Sequence, residues 1–219
     1  MNERDLRLYQ QMNTQLGMPP RPGLVLLDVR TTQFVPVELV LLKVLLDTGR
    51  PGLFISVDRP HQYMVHLLHM HRIDHRLLTF LDAVARFSAD RKLVMANVGF
   101  LQGPRNIDTL PAMLRQLSTQ GNEHGFDIGQ CAFAMIDNLS TLLNFNNEQV
   151  VRSFLQEFLT SLGKEVSVPL LVDRDRHPRL FQTLMELGGV ELQLWGPGTV
   201  DDLGGRHLKI TDNDNGRIW

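Results

Sequence analysis

The run Cys131-Ala132-Phe133-Ala134-Met135-Ile136-Asp137 is apolar until it closes on a carboxylate. In a strand covered on both faces, that carboxylate emerges at the sheet edge, where it can orient a divalent cation. The same pattern also arises without chemistry, because Asp caps the turn after many parallel strands. Asp58 closes a second such run, Leu53-Phe54-Ile55-Ser56-Val57. A third, Leu24-Val25-Leu26-Leu27-Asp28-Val29, leads into Arg30-Thr31-Thr32-Gln33-Phe34-Val35-Pro36-Val37. Its Arg30, Thr31, Thr32 and Gln33 supply the polar groups a ligand could meet there.

Five imidazoles crowd one stretch: His61, His66, His69, His71 and His75, with Asp74 among them. His66 and His69 are three apart, a spacing that can place two metal ligands on one helical face. The competing reading is a solvated face, with Met64, Leu67, Leu68 and His71 turned to the core, and no metal is expected. Asp173-Arg174-Asp175-Arg176-His177-Pro178-Arg179 reads either as an anion site or arginine finger, or as a loop that neutralises itself. Ser56, Cys131 and Ser140 have no ordered base and orienting group beside them, so nucleophilic catalysis is unsupported. Phe145 and Trp195 read as packing residues.

The elements that must hold these groups alternate. Strands are predicted at Leu24–Val29, Leu53–Val57, Phe133–Asp137 and Val168–Val172, all inner strands of a mainly parallel sheet. Leu77–Val84, Leu93–Val98 and Val190–Trp195 are further strand-like runs. Helices fall between them: one from Pro36 to Asp47, one from Pro60 to about Arg72, and one capped by Asn106 or Asp108 through Leu117. Asn146 and Gln149 have capping-box spacing ahead of Val151, Phe154, Leu155, Phe158 and Leu162, and Gly163 ends that helix. Residues 1–22 form a short helical and proline-rich lead-in to one domain spanning 23–219. Arg206–Thr211 and Arg217–Trp219 flank Asp212-Asn213-Asp214-Asn215-Gly216, a C-terminal β hairpin.

With 219 residues, 43% hydrophobic and 21% charged, the chain has an ordinary globular composition. One cysteine excludes an internal disulfide framework. A net charge of −2 disfavours nucleic acid as a partner. No apolar run approaches bilayer length, and the charged N-terminus has no secretory pattern, so a cytoplasmic protein without membrane insertion is expected.

In order and pattern, residues 23–211 resemble the RecA superfamily, most closely its KaiC-like, archaeal-type branch. The matching stretches are Gly23–Asp28, Leu53–Pro60, Pro104–Leu117 and Phe133–Leu143, with Val190–Trp195 and Arg206–Ile210 as the last strands. The resemblance implies a three-layer α/β RecA-like fold, a Walker B role for Asp137 and a catalytic acidic position at Asp58. The phosphate loop departs from the family. Walker A needs glycines, a Lys and a Ser/Thr to wrap phosphates in backbone N–H groups. Val29–Val37 has no glycine and no Lys, and Pro36 lacks an N–H. Arg59, and not a second acid, follows Asp58.

Asp58 and Asp137 are therefore vestigial, as is the loop Arg30, Thr31, Thr32 and Gln33, and no cofactor is expected. The resulting expectation is a non-hydrolysing regulatory or scaffold protein, acting through a protein partner or self-association. By resemblance its setting is signal transduction or motility. Phe34, Val35 and Val37 are the expected interface, as apolar groups brought to the strand edge. The alternatives are an ATPase using ATP and Mg with a non-standard phosphate loop, and an accessory protein in DNA recombination or repair.

Overall fold

The computed structural model describes residues 3–84, 98–119, 128–192 and 194. Helix α1 (Glu3–Leu16) precedes strand β1 (Gly23–Asp28), which leads through a 3-10 turn at Thr31–Gln33 into α2 (Phe34–Leu46). Then come β2 (Gly52–Ser56), α3 (His61–Met70), β3 (Leu78–Asp82) and β4 (Val98–Phe100). A 3-10 segment, Pro104–Thr109, runs into α4 (Leu110–Thr119). The remainder is β5 (Phe133–Asp137), α5 (Glu148–Leu162), β6 (Ser167–Val172), α6 (Pro178–Glu186) and β7 (Val190–Glu191).

Seven strands form one sheet in the order β4-β3-β2-β5-β6-β1-β7. Every described pairing is parallel. β1, β2, β5 and β6 are inner strands, as their unbroken apolar runs require. Helices α1, α2 and α3 pack one face, around Met12, Leu41, Leu45 and Leu68. Helices α4, α5 and α6 pack the other, around Leu114, Phe154, Phe158 and Leu184. The three-layer α/β architecture is consistent with a RecA-like fold. β5 and β2 lie so close that a Cβ at Gly52 would fall 2.1 Å from the Phe133 ring, so only glycine fits there.

The path of the chain fixes where a site can lie. β1 and β2 send their following helices to one face, while β5 and β6 send theirs to the other. The connections therefore diverge at two neighbouring pairs, β1/β6 and β2/β5, and parallel sheets open ligand crevices at the carboxyl ends of such pairs. Between β5 and β6 the register pairs Phe133 with Ser167.

Several boundaries move from expectation. α2 begins at Phe34, two residues ahead of Pro36. Pro36 sits in the first turn, where an N–H would have no helical acceptor, so its ring costs nothing. The cap of α5 is Asn147, whose side chain accepts from the Val150 N–H at 2.9 Å. Asn146 is used elsewhere, donating to the carbonyls of Pro104 and Leu142. Neither Asn106 nor Asp108 caps α4, because both lie inside the 3-10 segment. Phe145 is 43% exposed and so is not a core residue. The C-terminal hairpin and Trp195 lie outside the described residues.

The lead-in helix α1 buries Leu8, Met12 and Leu16 against the same core as α2. Arg4 donates to Gln33 at 3.0 Å, and Tyr9 donates to Asp47 at 2.8 Å. α1 thus braces the helix that follows the Thr31–Gln33 turn.

Candidate functional site

At the β2/β5 crevice the carboxylate closing β5 is already paired. Asp137, 2% exposed, accepts from Arg59 Nε at 3.1 Å and again from Arg59 Nη2. Nη2 also donates to Glu38 at 2.9 Å. Glu38 is the one acid in helix α2, which is apolar apart from it and Lys43, and it is 1% exposed. The guanidinium carbon lies 5.5 Å from the centre of the Tyr63 ring, which covers its outer side. A cation supplied by the chain thus neutralises the carboxylate that closes β5.

Two carboxyls and one guanidinium reach neutrality with a single proton. Burial and the neighbouring Asp137 charge push Glu38 well above the usual carboxylate range, against the pull of Arg59. Burial also raises Asp137, with Arg59 opposing it. Of the two carboxyls, Glu38 is the one pushed further towards its protonated form. Burial works against the charge on Arg59, but the bonds to Asp137 and then Glu38 raise its pKa further.

Asp58 is not solitary. It accepts from the Thr141 hydroxyl at 3.1 Å and the Asn138 amide at 3.4 Å. Asn138 adopts φ +56°, a left-handed conformation that Asn tolerates better than most residues. That turn folds the exit of β5 back across the exit of β2.

The β1/β6 crevice mirrors this arrangement with the opposite charge. Asp173, just past β6, accepts from the Thr31 N–H and the Thr31 hydroxyl, both at 2.9 Å. Its second oxygen accepts the Arg176 N–H at 3.3 Å. Burial alone would raise this carboxyl, but the Thr31 and Arg176 bonds hold it below the usual range. A carboxylate of the chain thus satisfies the Thr31 N–H of the loop after β1. Beside it, Arg174 Nη2 lies 2.5 Å from Glu191, and its backbone N–H donates to Asp28 at 3.1 Å.

The structure brings Asp137 and Asp58 to one edge, and it brings Thr31 to the next crevice. Arg30 and Thr32 are exposed. The expected apolar patch is corrected: Phe34 and Val37 are 5% and 7% exposed and Val35 is half-buried. Phe34 and Val37 belong to the core shared with α1 and β1, and Val35 packs against it. His66 and His69 are exposed on α3, and among the described residues no group of three His, Cys, Asp or Glu could hold a metal. His71 is exposed and so does not face the core. The buried imidazole is His61, which shares Asp82 through Nδ1 at 2.6 Å. Sequence reasoning missed Glu38, Arg59 and Asp173 as parts of one edge. The legible signal was a lone acid in α2 and an arginine directly after a strand-end Asp.

No family model matches the chain, and no curated protein matches it. Among solved structures, an uncharacterised protein from Pyrococcus horikoshii, PH0321, in complex with an unknown peptide, superposes with a TM-score of 0.58. Identity is 12%, over 87% of this chain and 86% of that one. A KaiC-like protein from the same archaeon, PH0186, gives a TM-score of 0.47 at 12% identity, over 81% of this chain and 76% of that one. The first likeness shows a shared fold, and nothing about activity. Among the described residues no helix is long and apolar enough to cross a membrane.

Proposed function

We propose that this chain is a RecA/KaiC-like domain that neither hydrolyses nor binds ATP and works as a regulatory or scaffold subunit through protein contacts. The observation that carries the reading is the internal occupancy of both crevices. Arg59 takes the place of a cation on Asp137, and Asp173 takes the place of an anion on Thr31. Displacing Arg59 would leave Asp137 buried without a counter-ion, a state that costs several kcal/mol, so an entering metal must first overcome that pairing. The loop after β1 offers no glycine to wrap a phosphate, which argues the same way. A peptide accompanies the Pyrococcus horikoshii protein of the same fold, and a peptide or protein ligand is the class we assign here.

Titration calorimetry with Mg²⁺ and ATP tests this directly. No heat of binding and no phosphate release are expected, for the native chain and for Asp137→Asn alike. Magnesium-dependent hydrolysis that Asp137→Asn abolishes would overturn the proposal.

A further inference from the structure

The geometry points to the arginine rim beside the β1/β6 crevice as a docking surface for an acidic segment of a partner protein. This inference rests on the protein-contact reading and names the partner's chemistry. As sequence, Asp173–Arg176 alternates in sign and neutralises itself, and Arg179 follows three residues on. The fold separates the signs. Asp173 turns inward and is 6% exposed, held by Thr31 and the Arg176 N–H. Arg174 is drawn inward as well, between Glu191 and the Phe181 ring, whose centre is 3.8 Å from the guanidinium carbon.

Three guanidinium groups remain outward. The Arg176 side chain is 65% exposed, with Asp173 at 3.8 Å. The Arg179 side chain is 83% exposed, and Glu148 lies 3.7 Å away. Arg30 is exposed, and its side chain makes no hydrogen bond or ion pair among the described residues. Arg30 and Arg176 flank one carboxylate, because the Thr31 and Arg176 N–H groups both reach Asp173. Arg179 stands in the first turn of α6, directly after them.

Guanidinium groups pair in a planar, two-point fashion with carboxylates, so these outward arginines fit a few Glu or Asp side chains. Nucleic acid fits it less well. Polyanion binding grows with the number of phosphates neutralised along a track, whereas this rim is short and is interrupted by exposed Asp175 on a chain of net charge −2.

Fluorescence anisotropy of a short labelled peptide alternating glutamate with serine tests the proposal on the full chain. Binding should appear at low salt and weaken as ionic strength rises. Arg30→Glu with Arg176→Glu should lower affinity by about tenfold or more, the sum of several exposed charge pairs. Arg21→Glu with Arg50→Glu, exposed residues at the opposite, amino edge of the sheet, should leave it unchanged. Circular dichroism checks that the rim variant folds, and Arg30→Gln with Arg176→Gln replaces it otherwise. No binding at low salt, equal binding by the rim variant, an equal loss in the amino-edge variant, or tighter binding of oligo-thymidine would each overturn the inference. Calorimetry with nucleotide separates the failures: peptide failure without nucleotide binding removes only this surface, and nucleotide binding removes the reading beneath it.

Discussion

Arg59 grips Asp137 at both carboxylate oxygens, with Nε donating to one of them at 3.1 Å. The two residues come from neighbouring strand ends, and Glu38 closes the cluster from the helix above. Such a buried cluster is not by itself a source of stability, since its desolvation offsets much of the attraction. Breaking it is another matter.

Arg59→Ala leaves Asp137 without its cation, and should cost about 3–5 kcal/mol at neutral pH. Arg59→Met combined with Glu38→Gln and Asp137→Asn removes every charge together and should recover most of that loss. Urea denaturation of the two variants makes the comparison. An alanine variant as stable as the native chain would show that the cluster carries no strain on the fold.

The proton on Glu38 gives stability a pH dependence of known sign. The folded chain keeps a proton that an unfolded glutamate releases near pH 4.3, so this contribution is complete at low pH and is lost as pH rises through the raised folded value. Thermal midpoints should therefore fall as pH rises above the ordinary glutamate range, and Glu38→Gln should flatten that fall. Asp173 works in the other direction. Its depressed value adds stability above the normal aspartate range and loses it only under more acidic conditions, so Asp173→Asn should flatten the limb below about pH 4. Parallel pH profiles for native and variant chains would contradict either assignment.

Tyr9 reports on the docking of α1. Partial burial, then the hydrogen bond and charge of Asp47, push its phenol up to about 12. Absorbance titration of the two tyrosines should show one ionising late, and Asp47→Asn should bring it back towards the ordinary value. Two identical midpoints in the native chain would mean that α1 does not hold Tyr9 against α2.

The sheet was legible because each inner strand is an unbroken apolar run, which only a sheet covered on both faces can hide. Asp58 and Asp137 were legible for a similar reason, as carboxylates at the ends of such runs. The clusters around them were not. Glu38 and Arg59 stand 21 residues apart, Arg59 and Asp137 stand 78 apart, and Thr31 and Asp173 stand 142 apart. Only the strand order brings those distances to one edge, and local pattern does not encode it. Asp173 was also hidden by its own neighbours, since an alternating charged run looks solvated until one acid is seen to turn inward.

Phe34 shows how burial reverses a functional reading. Placed next to a strand edge by sequence, it looks like a contact between subunits, but it is 5% exposed and belongs to the core shared by α1, α2 and β1. Its ring packs inside the chain, against the side chains of that core. A buried phenylalanine truncated to alanine typically loses about 3–5 kcal/mol, from lost transfer energy and the cavity left behind. Phe34→Ala should therefore lower the thermal midpoint while sedimentation reports the same mass as the native chain. A mass that falls while the midpoint holds would place Phe34 between subunits, because a side chain that packs only against its own chain cannot change an oligomer without first loosening the fold.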